Sequence, residues 1–247
     1  MAGGGGPGVV IEMAAWRELG GFSSLRILAA VCGGLAGVGG IVHGVGEVVQ
    51  GRQAPGGMVF DSWAEGRIAE NLGGEPAMSF IPNLLITGIL TIVVSLAVFT
   101  WAVVFVDRRY GGRVLVLLSV LMLLVGGGFG PPVLGMLAGA AAGGAHARRP
   151  RWERPLAGRA GRLLAFLWPG LFWLCVLNAV FLVIGSLVLS TAFDVAAPEL
   201  FVFSLFLVVV SMPVATLAGI ADDLRHVPEA ADRGAGMRTS SRAHSAP

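Results

Sequence analysis

The sequence predicts an all-α membrane protein: a polytopic helical bundle with a broken helix or helical hairpin at residues 114–146. Three observations lead there. The chain has 247 residues, 55% hydrophobic and only 13% charged, whereas soluble domains carry about 25% charged residues. Its mean hydropathy is +0.79, too apolar to keep a globular surface wet. Uncharged runs cover Ile27–Gly46, Ser79–Val106, Val114–Ala145, Leu163–Phe193 and Leu200–Ala221. Each exceeds the roughly 18 residues that mark a transmembrane candidate. Finally, the arginines fall on one side of a membrane only if the third run turns back on itself.

Residues 1–24 read as a flexible, Gly-rich start, with Trp16 and Phe22 placed to touch headgroups. No cleavable signal peptide is expected, because this start lacks a short apolar core with a small-residue exit. The first helix should span about residues 25–50. Its Gly33 and Gly37, then Gly40 and Gly44, form small-xxx-small pairs that let another helix come close. Packing within one chain is the simpler use; a helix–helix partner or homo-oligomer is the other.

Residues 51–78 form the longest polar connection. Ser62 and Glu65 have capping-box spacing, and Gly73-Gly74 is a stop signal. Ala64, Ile68 and Leu72 share a face, which reads as a short amphipathic helix on the membrane or capping the bundle. The second membrane helix is expected over about 79–106, with Pro82 in its first turn. Asn83, Thr87, Thr91 and Ser95 recur every four residues along it. Such a polar stripe should face protein, since lipid offers no hydrogen-bond partner.

The third run has 32 residues. As one helix it would be about 48 Å long, against a hydrocarbon core of about 30 Å. It is interrupted by "GGGFGPP" at 126–132, which no straight helix accommodates. Three arginines lie in Asp107–Arg113 before it, and six in Ala147–Arg162 after it. Lys and Arg gather in cytoplasmic loops, so a hairpin with arms at 114–126 and 132–146 keeps both clusters inside. With the N-terminus inside, 15 of the 17 arginines are then cytoplasmic. Helices at about 163–190 and 199–221 follow, with Pro169 and Pro213 as kink or boundary positions. A charged tail, 222–247, is expected to be disordered. Both termini are thus expected in the cytoplasm of a prokaryotic cell, with the bundle in its plasma membrane.

Net charge is only +2, so no nucleic-acid partner is indicated. All basic residues are Arg and none is Lys, read as the bias of a GC-rich genome. Cys32 and Cys175 fall inside apolar runs and read as packing residues. No cofactor is expected: "GGGFGPP" is not followed by the GK[ST] of a nucleotide loop. No G-x-S-x-G is present either, so an enzyme is the least supported class.

The stretch "HGVGEVVQ" places His43, Glu47 and Gln50 on one helical face. His43 would lie about 24 Å along the helix from Ile27, near the outer membrane boundary. Asn83 and Thr87 start the next helix from that same side. The backbone of Gly126–Gly130, including Gly127 and Gly128, sits at the hairpin apex. Together with Asn178, these groups are the candidate lining of an outward-facing polar cavity. Broken helices with free backbone groups serve this purpose in many transporters. His43 and Glu47 are expected to interact as a pair. They supply two metal ligands, but no second set completes a site, so a metal is left open. Arg148, Arg149, Arg151 and Arg154 are expected on anionic lipid headgroups, with a substrate phosphate as the alternative.

The combination "HGVGEVVQG … IPNLLITGIL … LLVGGGFGPP" resembles a group of uncharacterised prokaryotic multi-pass membrane proteins, over roughly residues 40–146. The resemblance implies a bacterial plasma-membrane setting and no activity. Two function classes follow from the residues. One is a small-solute or ion transporter, or an accessory of one, using the polar cavity. The other is a non-enzymatic scaffold or subunit of a membrane complex. A cavity lined by the stripe supports the first; a solid bundle with the stripe facing loop 51–78 supports the second.

Overall fold

The computed structural model describes residues 23–147, 155–196 and 198–243. Helix α1, Ser24–Gln50, is the central element. Ser23 caps it, its hydroxyl accepting from the Arg26 amide at 3.2 Å. Gly51, with φ of 77°, ends it, as glycine commonly ends helices. Helix α3, Leu84–Thr100, continues through a π-helical turn at Trp101–Phe105. It packs antiparallel on α1 through the predicted glycines: Gly33 lies against Ala102, Gly37 against Phe99, Gly40 against Ser95 and Gly44 against Gly88. A Cβ at Gly44 would stand 2.8 Å from the Gly88 carbonyl oxygen. The small-xxx-small faces are therefore filled within the chain.

The third run is a hairpin, as the arginines required. Helix α4, Gly111–Leu124, and helix α5, Gly130–Ala147, flank the turn 125–129. Gly112 lies against Gly139 and Gly143, and Gly135 against Ser119, so the arms are antiparallel. Both arms start slightly earlier than expected. Pro131 and Pro132 fall in the first turn of α5, where no intrahelical N–H is needed. Helix α6, Arg159–Val180, holds Pro169 inside it and runs through a second π turn, Phe181–Gly185, into α7, Ser186–Ala192. The last helix, α8, is Pro198–Ala243. It passes residue 221, where the sequence suggests a tail. Asp222 and Asp223 are engaged there: they accept from the Ser24 hydroxyl at 2.5 Å and the Ser24 amide at 2.6 Å. A carboxylate is stabilised at a helix N-terminus, where free N–H groups and the dipole favour negative charge.

The protein is an all-α, multi-pass membrane bundle. Among the described residues, four helices are long and apolar enough to cross a membrane: Ser24–Gln50, Leu84–Phe105, Arg159–Ala192 and Pro198–Arg225. They share with the hairpin a core that includes Leu28, Cys32, Leu115, Met122, Trp168 and Met212. Phe166, Leu177, Val202 and Phe206 point outward, as apolar side chains on a lipid-facing surface do.

Candidate functional site

Residues 51–78 fold into a cap over one end of the bundle. Strand β1, Val59–Asp61, pairs antiparallel with β2, Pro76–Met78. Between them lies the short helix α2, Arg67–Leu72, with Ile68 and Leu72 buried as its pattern predicts. The expected capping box does not form: Gly66 precedes α2, and Ser62 is used elsewhere. Gly73, Gly74 and Glu75 all have positive φ, at 70°, 77° and 51°. The left-handed region is costly for Glu75, which has a Cβ. Bonds from Ser62 N to Glu75 O (3.2 Å) and Trp63 N to Gly74 O (3.0 Å) hold this turn. The turn carries the Glu75 side chain inward, to 6% exposure.

There it meets the stripe of α1. His43 Nδ1 lies 2.9 Å from the Ser62 hydroxyl, and His43 Nε2 lies 3.4 Å from Glu75 Oε2. The ring packs on Gly128, whose φ is 71°; a Cβ there would overlap the imidazole. Gln50 Nε2 donates to the carbonyls of Ser62 at 2.7 Å and Asp61 at 3.2 Å. The stripe thus faces the cap. Burial pushes the Glu75 carboxyl up to about 7. Below that pH the carboxyl can donate to the ring; above it, the carboxylate accepts from Nε2–H of a neutral imidazole whose Nδ1 accepts from the Ser62 hydroxyl.

Glu47 sits one turn along, fully buried. Its carboxyl packs against Gly126, and Thr91 Oγ1 lies 3.5 Å from Oε2. The Thr91 hydroxyl donates to the Val125 carbonyl at 2.5 Å. A bridge between Ser79 and Val125 ties the cap to the hairpin apex.

The expected His43–Glu47 pair is not a hydrogen-bonded one. His43 takes its acid from the cap, because the ring is held toward Ser62 and Glu75. Thr87 is buried beside Gly126, but its hydroxyl bonds back to the Asn83 carbonyl at 3.0 Å. Asn83 caps α3, accepting from the Ile86 amide at 3.2 Å, and does not line the site. Asn178 does not join either: its amide is engaged with Ser204, at 2.9 and 2.6 Å, on the α6–α8 seam. Gly127 backs onto Met122, while Gly128 and Gly126 form the floor. Arg148, Arg149, Arg151 and Arg154 lie outside the described residues. Sequence reasoning missed Ser62, Glu75 and Thr91 as site residues. Thr91 had a signal in its four-residue spacing; Ser62 and Glu75 are brought in by the cap's turn. Among the described residues no three His, Cys, Asp or Glu side chains group to hold a metal ion. Compared with known protein families, curated proteins and solved structures, the chain matches none.

Proposed function

We propose that the chain is a non-enzymatic scaffold or complex subunit of a prokaryotic plasma membrane, carrying the 51–78 cap on the outer face and both termini in the cytoplasm. One observation supports this reading above the transporter: both ring nitrogens of His43 are engaged by the cap, through Ser62 and Glu75. A stripe serving a solute would keep polar atoms open to water. Here the cap takes them, and the stripe acts as a latch. The helix glycines are filled internally, so partner contact falls to the cap and to the arginine-rich connections at the other end. Orientation follows from the arginine bias, with Arg148, Arg149, Arg151 and Arg154 on anionic headgroups. Reporter fusions after Gly112 and after Arg154 should both read cytoplasmic.

The discriminating experiment is His43→Asn in proteoliposomes. On the scaffold reading, the cap becomes open to proteolysis while proton, ion and solute permeability stays at the level of protein-free vesicles. A flux present in the wild type and lost in the variant would overturn this reading in favour of transport.

A further inference from the structure

The latch explains His43 and Gln50 but leaves Glu47 without an account. Its Oε1 is buried and has no hydrogen-bond partner. The rest of the carboxyl has weak partners: the long 3.5 Å contact of Oε2 to Thr91, whose hydroxyl donates to Val125 O at 2.5 Å, and the Ser62 hydroxyl, which His43 Nδ1 also engages. No arginine pairs with Glu47 among the described residues. Every buried polar atom without a partner calls for an explanation, and an ionisable group inside a membrane more so.

The surroundings specify what would satisfy it. Three kinds of oxygen converge from three elements: the Glu47 carboxyl from α1, the Thr91 hydroxyl from α3, and the Val125 carbonyl from the hairpin apex. Val125 is the C-terminal cap of α4, so the negative end of that helix dipole also points here. Gly126, at φ 112°, closes directly on the carboxyl, so nothing bulky can approach it from that side. The titratable groups facing Glu47 are His43 on its own helix and, beyond the ring, Glu75 of the cap. Thr87 and Thr91 on α3, the Val125–Gly128 backbone and Ser62 of the cap carry no charge. One carboxylate with neutral oxygens suits a hard cation of single charge; a divalent ion takes more anionic ligands. Unwound carbonyls and helix C-termini are the groups that coordinate Na⁺ in membrane proteins with broken helices.

The geometry points to an occluded monovalent-cation site, suited to Na⁺ or Li⁺, formed by the Glu47 carboxylate, the Thr91 hydroxyl and the Val125 carbonyl. The inference is independent of the scaffold reading: a bound cation would lock the hairpin apex to α1 and α3 whether or not anything is carried across the membrane.

The test is thermal unfolding of the full chain in nanodiscs at pH 8 and constant ionic strength, in NaCl, LiCl, KCl or choline chloride. A ligand of the native state raises Tm progressively once above its Kd. Na⁺ and Li⁺ should raise Tm by several degrees over choline, K⁺ should not, and Glu47→Gln and Thr91→Val should each abolish the response. If Glu47→Gln fails to fold, Thr91→Val, which removes one oxygen and keeps the shape, carries the test. A wild-type Tm equal in Na⁺ and choline overturns the proposal. So does a Na⁺ response that survives Thr91→Val, or a Tm that follows pH alone and thereby assigns a proton to Glu47.

Discussion

Helix α1 is fastened at both ends, by opposite means. At its start, Ser24 and the first free amides are held by Asp222 and Asp223 of α8, and Arg26 pairs with Asp107 at 2.6 Å. The Arg26–Asp107 side chains keep 29% and 41% of their exposure. At the cap end, the His43 and Glu75 side chains retain only 7% and 8%. At the first end water can take over from the Arg26–Asp107 pair when it is lost, although Ser24 and Asp222 beside it are buried. At the second, a lost partner leaves a buried polar group with nothing in its place, which costs far more than the bond itself contributes. Loss of the cap's His43–Glu75 contact should therefore be abrupt, and loss of the Arg26–Asp107 pair gradual.

The largest effect tests the cap directly. Gly128→Ala puts a methyl into the His43 ring at a backbone position of φ 71° and should cost about 3 kcal/mol. It would appear as a lowered Tm with early proteolysis in 51–78. Next, His43→Leu leaves Ser62 and Glu75 buried without their partner, and should cost about 2–4 kcal/mol. If its Tm matched the wild type, the latch would be wrong.

A pH series sharpens the contrast. The Glu75 carboxyl moves from an ordinary 4.5 to about 7 in the folded chain. Between those values the folded state holds more protons than the unfolded one, so stability falls as pH rises and levels off above about pH 7. Protection factors at residues 59–78, corrected for the intrinsic rise of amide exchange with pH, should thus fall from pH 5 to pH 8, and Glu75→Gln should flatten that profile. At the other end, Ser24→Ala leaves the buried Asp222 a donor short and should cost about 1–3 kcal/mol; the smallest effect is Arg26→Gln, less than about 1 kcal/mol and shrinking with added salt. A large loss from Arg26→Gln would erase the distinction between the ends.

Much of the bundle was legible because its signals are local. Run lengths marked the crossings, arginines demanded the hairpin, and glycine spacing located the α1–α3 contact. The burial of His43 and Glu47 could be read from their helical face. Their partners could not. Asn83 lies on the polar stripe, yet it stands just before α3, and there capping uses its side chain. Asn178 reads as a lone polar residue in an apolar run, and only the approach of α8 supplies Ser204. Glu75 comes to His43 through three successive left-handed residues, a path that no periodicity signals. The last helix outran its apolar stretch because Asp222 and Asp223 find the first turn of α1, far away in sequence.

The short first arm of the hairpin has a consequence of its own. With 14 residues, α4 spans about 21 Å of a hydrocarbon layer about 30 Å thick. An arm starting at the near surface would stop about 9 Å short of the far one, and the Ser79–Val125 bridge would draw the cap to that depth. The crossing helices can tilt to suit a different bilayer, but this plug of irregular backbone cannot. Longer-chain lipids should press hydrocarbon against the rim of the cap, and shorter-chain lipids should relieve it. The expected result is a preferred membrane thickness, set by the length of one short helix.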